Sequence, residues 1–194
     1  CSANVRETKL FWQRLLQALD SNHNDVPFAI LYSVQEIWEN DIKASGAMQL
    51  RPRKICALEG SLGISAGHIA APAILHFEEG AEGYSSAFRK AMETEDHVLL
   101  RRQDGSLPEL YVRDFECRGL GEPCSDAVVC PIRPTGGQNV VGFLVLGLNP
   151  RIGYDEDERQ FIDILRRQIA TSVAAVVLLD EEIRRGKSVA EEAA

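Results

Sequence analysis

Three cysteines in one short stretch, Cys117, Cys124 and Cys130, are the residues best placed for covalent chemistry. Two thiols meeting in a pocket wall could exchange a disulfide, which is the chemistry of a redox sensor or a thiol reductase. Cys130 sits inside an apolar run, and free cysteines are among the most buried residue types. Inert packing is the competing reading. The histidines, His23, His68, His76 and His97, are scattered. His68 and His76 could approach one another, yet no H-x-x-x-H spacing or cysteine partner completes a metal set. They read as solvated or singly hydrogen-bonded.

Acids come in pairs and runs at Glu78-Glu79, Asp155-Glu156-Asp157 and Glu181-Glu182. General acid–base work needs a carboxyl desolvated in a cleft, whereas turn and helix-start positions are solvated. There is no nucleophile elbow, no P-loop and no GxGxxG after a strand. The sequence therefore offers no catalytic residue and no metal site. Phe77, Tyr84, Phe88 and Tyr111 could line a small-molecule pocket, with Arg118 as an anion handle and Cys130 in the wall. An apolar hollow with a few polar groups is how such sites are built. The same aromatics could equally fill a core.

These residues need elements to hold them. Phe11, Trp12, Leu15, Leu16 and Leu19 recur at helical spacing behind a capping-box pattern at Asn4 and Glu7, which predicts a helix ending near Asp20 to Asn24. Strands are expected at Val26 to Val34 and Lys54 to Glu59, with residues 36 to 52 as a loop holding a short helical turn. The segment SLGISAGHIAAP reads as a turn and a short helix or arm. A short amphipathic helix is expected over residues 82 to 95, then strands at His97 to Arg101 and within Leu107 to Cys117. Ala127–Arg133 and Val140–Leu148, joined by PTGGQN, read as a hairpin. Its second strand is apolar on both faces, with Val141, Phe143 and Val145 on one side and Leu144, Leu146 and Leu148 on the other. Such a strand lies inside a sheet covered twice. The result is an α+β protein: a central antiparallel sheet, terminal helices on one face, and a pocket closed by short helices and loops on the other.

The last helix starts behind Asp155, an N-cap with Glu158 three residues on, and runs for about thirty residues by its periodicity. One stripe, Ile162, Leu165, Ile169, Val173 and Val176, would cover the sheet. A second stripe, Phe161, Ile164, Gln168, Ser172, Ala175 and Leu179, mixes small and polar residues as a helix–helix seam does. Val176, Val177, Leu178 and Leu179 cannot all face one small sheet. A homodimer through this helix is expected, with Phe11 and Leu15 of the first helix joining Phe161, Gln168, Ser172, Ala175 and Leu179 at the interface.

Composition narrows the function classes. A net charge of -8 argues against a nucleic-acid or anionic-membrane surface, both of which want a basic face. No apolar run reaches the roughly 18 residues of a membrane span. Five cysteines, an odd number at irregular spacings, form no secreted disulfide framework. A reduced, cytoplasmic setting is expected. Cys1 stands where an initiator Met would, and the chain closes on a polar Ala/Glu-rich stretch, so it reads as a segment of a longer protein.

The run GFLVLGLNPRIGYDEDERQFIDILRRQIATSVAAVVLLDEEIRR resembles the end of GAF sensor domains in fungal and bacterial hybrid sensor histidine kinases. DVPFAILYS, LGISAGHIAAP and RGLGEPCSDAVVCPI precede it in the order those domains use, and GLNPR followed by YDEDE is the most specific motif. The resemblance spans about residues 8 to 185. It implies a GAF domain over residues 4–185, with 186–194 as a linker or the start of a signalling helix. It further implies about six antiparallel strands, a non-catalytic sensor role in two-component signalling, a possible small-molecule ligand, and a last helix leading to a dimeric kinase module. No bilin, haem or metal is indicated: no cysteine is followed by histidine, and the Asn-Lys-Phe-Asp-Glu motif of cyclic-nucleotide binders is absent. The alternative is a thiol-based redox enzyme or sensor related to free methionine sulfoxide reductase. That family places a cysteine after a GHIA-like stretch, where this chain has Ala71 and Pro72.

Overall fold

The structure, a computed structural model, describes residues 2–42, 48–77, 83–113, 118 and 121–192. Its elements in chain order are α1 (Ser2–Asp20), β1 (Ala29–Ile42), β2 (Met48–Leu62), β3 (Ile74–His76), α2 (Ser85–Thr94), β4 (Val98–Arg101), α3 (Glu109–Val112), β5 (Asp126–Ile132), β6 (Gly142–Gly147) and α4 (Glu156–Glu192). Six strands make one sheet in the order β3-β2-β1-β6-β5-β4, with every neighbouring pair antiparallel. β1 and β6 are central, so the two ends of the chain meet in the middle of the sheet.

The alternation in β6 separates two cores. Phe143 and Val145 pack with Phe28, Ile30, Tyr32 and the short middle helices. Leu144, Leu146 and Leu148 pack with Trp12 and Leu19 of α1 and with Ile162, Ile169 and Val173 of α4. The terminal helices therefore share one face of the sheet, and α2 and α3 lie on the other. α1 and α4 run antiparallel: Ala18 and Leu19 border a groove with Phe161 and Leu165, whereas Thr8 and Lys9 border a cleft with Val177 and Asp180. Gly142 lets α1 lie close on the sheet, because a Cβ there would stand 2.6 Å from the Tyr32 carbonyl and 3.1 Å from the Trp12 ring.

Three local expectations are corrected. Residues 36–52, read as a loop, mostly belong to a two-stranded arm in which Glu36 pairs with Lys54, Trp38 with Pro52 and Ile42 with Met48. The tip at 43–47 lies outside the described residues. Polar composition and Pro52 hid the strands; among the described residues β3 reaches only Ile55, and past it β2 has an open edge where a missing N–H is tolerated. Leu107 to Cys117 holds a single helical turn, α3, opened by Pro108, where a strand was expected. Cys117 and Glu78-Glu79 lie outside the described residues. β3, within a Gly/Pro-rich stretch, has no periodic signal and was missed.

α4 has 37 residues, longer than periodicity suggested, and spans about 55 Å. The Asp155 carboxylate accepts the Glu158 N–H at 3.0 Å and caps its start. Acids in its first turn suit the positive end of the helix dipole. Residues 186–192, read from the sequence as a linker or the start of a signalling helix, continue α4. No helix among the described residues is long and apolar enough to cross a membrane.

Candidate functional site

On the α2 face, four of the expected pocket residues come together. Phe88 stacks flat on Phe143 at 4.2 Å, and Tyr84 stacks on Phe88 at 6.1 Å. Phe77 tilts against Phe143, and Tyr111 against Tyr84. The hollow is filled by these rings, which leaves two shallow clefts of about 440 and 410 Å³ that share Gly83 and Tyr111. Tyr84 borders the second cleft, and its hydroxyl is buried with no hydrogen-bond partner among the described residues. Burial, and then the neighbouring Tyr111 and Tyr32, push its ionisation far above the ordinary phenol range.

Arg118 and Cys130 are elsewhere. The Arg118 guanidinium pairs with Asp20 at the end of α1 and donates to the Val26 carbonyl at 3.3 Å, so it ties the α1–β1 turn and does not face the rings. Cys130 packs in the helix-side core, whereas Cys124 belongs to the ring-side core. The sheet separates these two thiols, and neither forms a disulfide. Burial pushes the thiols of Cys56 and Cys130 up to about 12, out of the range of reactive cysteines.

On the opposite face, Phe11, Leu15, Phe161, Gln168 and Ser172 border one open groove of about 510 Å³ between α1 and α4. Ala175 and Leu179 are exposed farther along α4, beyond that groove. The groove thus brings together five of the seven expected interface residues, from both helices.

The junction between the two faces was missed in the sequence. α2 ends at Glu95, whose φ of 57° is left-handed. Arg166 of α4 donates to the Glu95 carbonyl at 2.9 Å and pairs with Asp96. His97, with only 5% of its side chain exposed, places Nδ1 3.0 Å from Asp96 and 3.7 Å from Asp163 of α4. Its Nε2 lies 2.5 Å from the Tyr154 hydroxyl, just before α4 begins. Arg133 of the β5–β6 connection pairs with the Glu95 carboxylate at 2.8 Å. His97 is therefore a buried, multiply bonded residue and not a solvated one. Asp163 and Arg166 at i, i+3, with Glu-Asp-His closing the earlier helix, are the only sequence trace of this cluster.

Burial lowers the His97 ionisation, Asp96 and Asp163 raise it, Arg166 and Arg159 lower it, and the net shift is downward. For Asp96, burial acts upward but is outweighed by the His97 N–H and by the charges of His97 and Arg166. Asp96, His97 and Asp163 bring one potential ligand atom each within 4.8 Å of one another. Arg166 already supplies the positive charge there, within 3.5 Å of Asp163 as well as Asp96. The arrangement is a clamp joining α2 to α4.

No protein-family model matches this chain, and no curated protein matches it in sequence. Solved structures do. A GAF domain/HD domain protein from Geobacter sulfurreducens superposes with a TM-score of 0.52 at 13% identity, over 91% of this chain and 99% of that one. The GAF domain region of a protein from Geobacter sulfurreducens PCA gives 0.50 at 14% identity, over 86% and 97%. The type II free methionine-R-sulfoxide reductase from Thermoplasma acidophilum gives 0.48 at 14% identity, over 82% and 86%. The fold is the GAF fold: a six-stranded antiparallel α+β sheet with flanking helices.

Proposed function

We propose that the chain is a non-catalytic regulatory sensor domain of a two-component histidine kinase, working as a cytoplasmic homodimer. A small molecule, or a partner's state, acts on the ring-side layer around Tyr84 and Tyr111. The clamp of Arg166, Asp96 and His97 carries the displacement of α2 into α4, and α4 passes it to a kinase module beyond. Switching of this kind needs two helix arrangements only a few kcal/mol apart.

The observation that carries this reading is the clamp itself. It is the point where the end of α2 is bonded directly to the long helix, at Glu95 and Arg166. A dimer through α1 and α4 would cover the exposed groove at Phe11 and Phe161 and give α4 a mate against which to rotate. The redox alternative draws no support from Cys124 and Cys130, which the sheet holds apart.

Sedimentation velocity with a small-molecule thermal-shift screen tests the proposal. A dimer is expected, Phe161→Asp and Leu15→Asp should each dissociate it, and a stabilising ligand should change hydrogen exchange in α4. A chain that remains monomeric at high concentration, or a ligand that stabilises α2 without altering exchange in α4, overturns the relay.

A further inference from the structure

A cleft of about 720 Å³ opens between the helix pair and the sheet, where α4 passes the top of β1, β2 and β6. It lies on the opposite side of the sheet from the aromatic rings, and its volume falls in the range of small-molecule sites. Its apolar wall includes Val141, Val173, Val176 and Val177. Its floor is polar: Ser33, itself buried, lies 2.5 Å from the Glu59 carboxylate and accepts from the Gln35 amide at 3.2 Å.

Two further groups bordering the cleft are unsatisfied. The indole N–H of Trp12, a residue only 2% exposed, has no acceptor, and one carboxylate oxygen of Asp180 is buried with no donor. Leaving such groups bare in a folded protein is costly, and more so for a charged group. The charge balance fixes what would relieve it. Among the described residues lining the cleft, two carboxylates, Glu59 and Asp180, face one cation, Lys9, which is exposed.

We propose that this cleft is a binding site for a small aliphatic amine. Its ammonium is held by the carboxylates of Asp180 and Glu59, and its hydrocarbon lies on Val173, Val176 and Val177. An electronegative substituent on the same molecule would meet the Trp12 N–H. The site spans α1, α4 and the sheet, so occupancy fixes the spacing of the helix pair independently of any event on the ring side.

The test uses Trp12 emission in a Trp38→Phe background, with isoamylamine as the probe and isocaproate as its anionic counterpart. Isoamylamine should shift the emission saturably and isocaproate should not. Asp180→Asn and Glu59→Gln should each weaken amine binding by roughly ten- to a hundredfold, the loss of one charge-assisted hydrogen bond. The proposal is overturned if the amine gives no saturable change, if both probes bind alike, or if both variants bind as the parent does.

Discussion

The Arg166 guanidinium donates to the backbone carbonyl of Glu95, the left-handed residue that ends α2. Its second nitrogen pairs with the next residue, Asp96, so one side chain of α4 holds two consecutive positions of the α2–β4 turn. Arg166 is mostly buried, with 20% of its side chain exposed. Arg166→Met removes this donor from the Glu95 carbonyl and the charge partner of the Asp96 carboxylate, which keeps the His97 N–H, and should cost about 1–3 kcal/mol. The urea midpoint should fall with an unchanged slope. Arg166→Lys should recover only part of the loss, because an ammonium lacks the planar fork.

The same clamp gives the domain a pH dependence of known sign. Burial holds His97 below its ordinary value of 6.5, so the unfolded chain takes up this proton before the folded one does. Its contribution to stability is complete above that pH and declines as pH falls from about 6.5 toward the depressed folded value. Asp96 adds a loss of the same sign, but only below the ordinary value of 3.8. Denaturation midpoints measured between neutral and mildly acidic pH should drop for the parent chain. For His97→Gln that slope should flatten; an equal slope in the variant would assign the effect to another group.

Phe88 lies flat against Phe143 and is 1% exposed. Phe88→Ala should destabilise by about 3–5 kcal/mol, as ring deletions in packed cores do. If the hollow is only closed by its rings, the truncated variant should regain stability with a small apolar ligand such as benzene, which fills dry engineered cavities. A thermal shift with benzene in Phe88→Ala, absent in the parent, is the expected result.

The two tryptophans report on opposite environments. Trp12 is 2% exposed beneath α4, and Trp38 is 64% exposed on the arm. Acrylamide should quench Trp38 strongly and Trp12 weakly, so Trp38→Phe should leave a blue-shifted, protected emission. Trp38→Ala should change stability by no more than about 0.5 kcal/mol, whereas Trp12→Ala should cost about 3–5 kcal/mol. Equally weak quenching would place Trp38 under cover, and equally strong quenching would overturn the burial of Trp12.

What the sequence made legible follows from where period and burial agree. β6 alternates between two cores, and its residues Phe143 to Leu148 sort onto the two faces as their spacing implied. α4 announces itself through Asp155 and its stripes. The arm was illegible because its strands bury almost nothing: Trp38, Met48 and Leu50 are exposed, so no alternation had been imposed by a core. The clamp was illegible for another reason. Glu95, Asp96 and His97 acquire meaning only when Asp163 and Arg166 arrive from the far end of the chain, and no local pattern encodes that meeting. The rings behaved differently again, since Tyr84, Phe88 and Tyr111 were identifiable as a group, but only packing decides between a filled and an open hollow.

The central pairing of the sheet joins Ala29 to Leu146. During synthesis β1 and β2 can form their hairpin early, yet the hairpin's inner edge has no neighbour until β6 has left the ribosome. Most of the chain must be made before the nucleus can close, and such long-range closure slows folding. In the interval an unpaired, apolar strand edge is open to strangers. The time taken to make the chain between β2 and β6 therefore sets how long that edge waits for its partner.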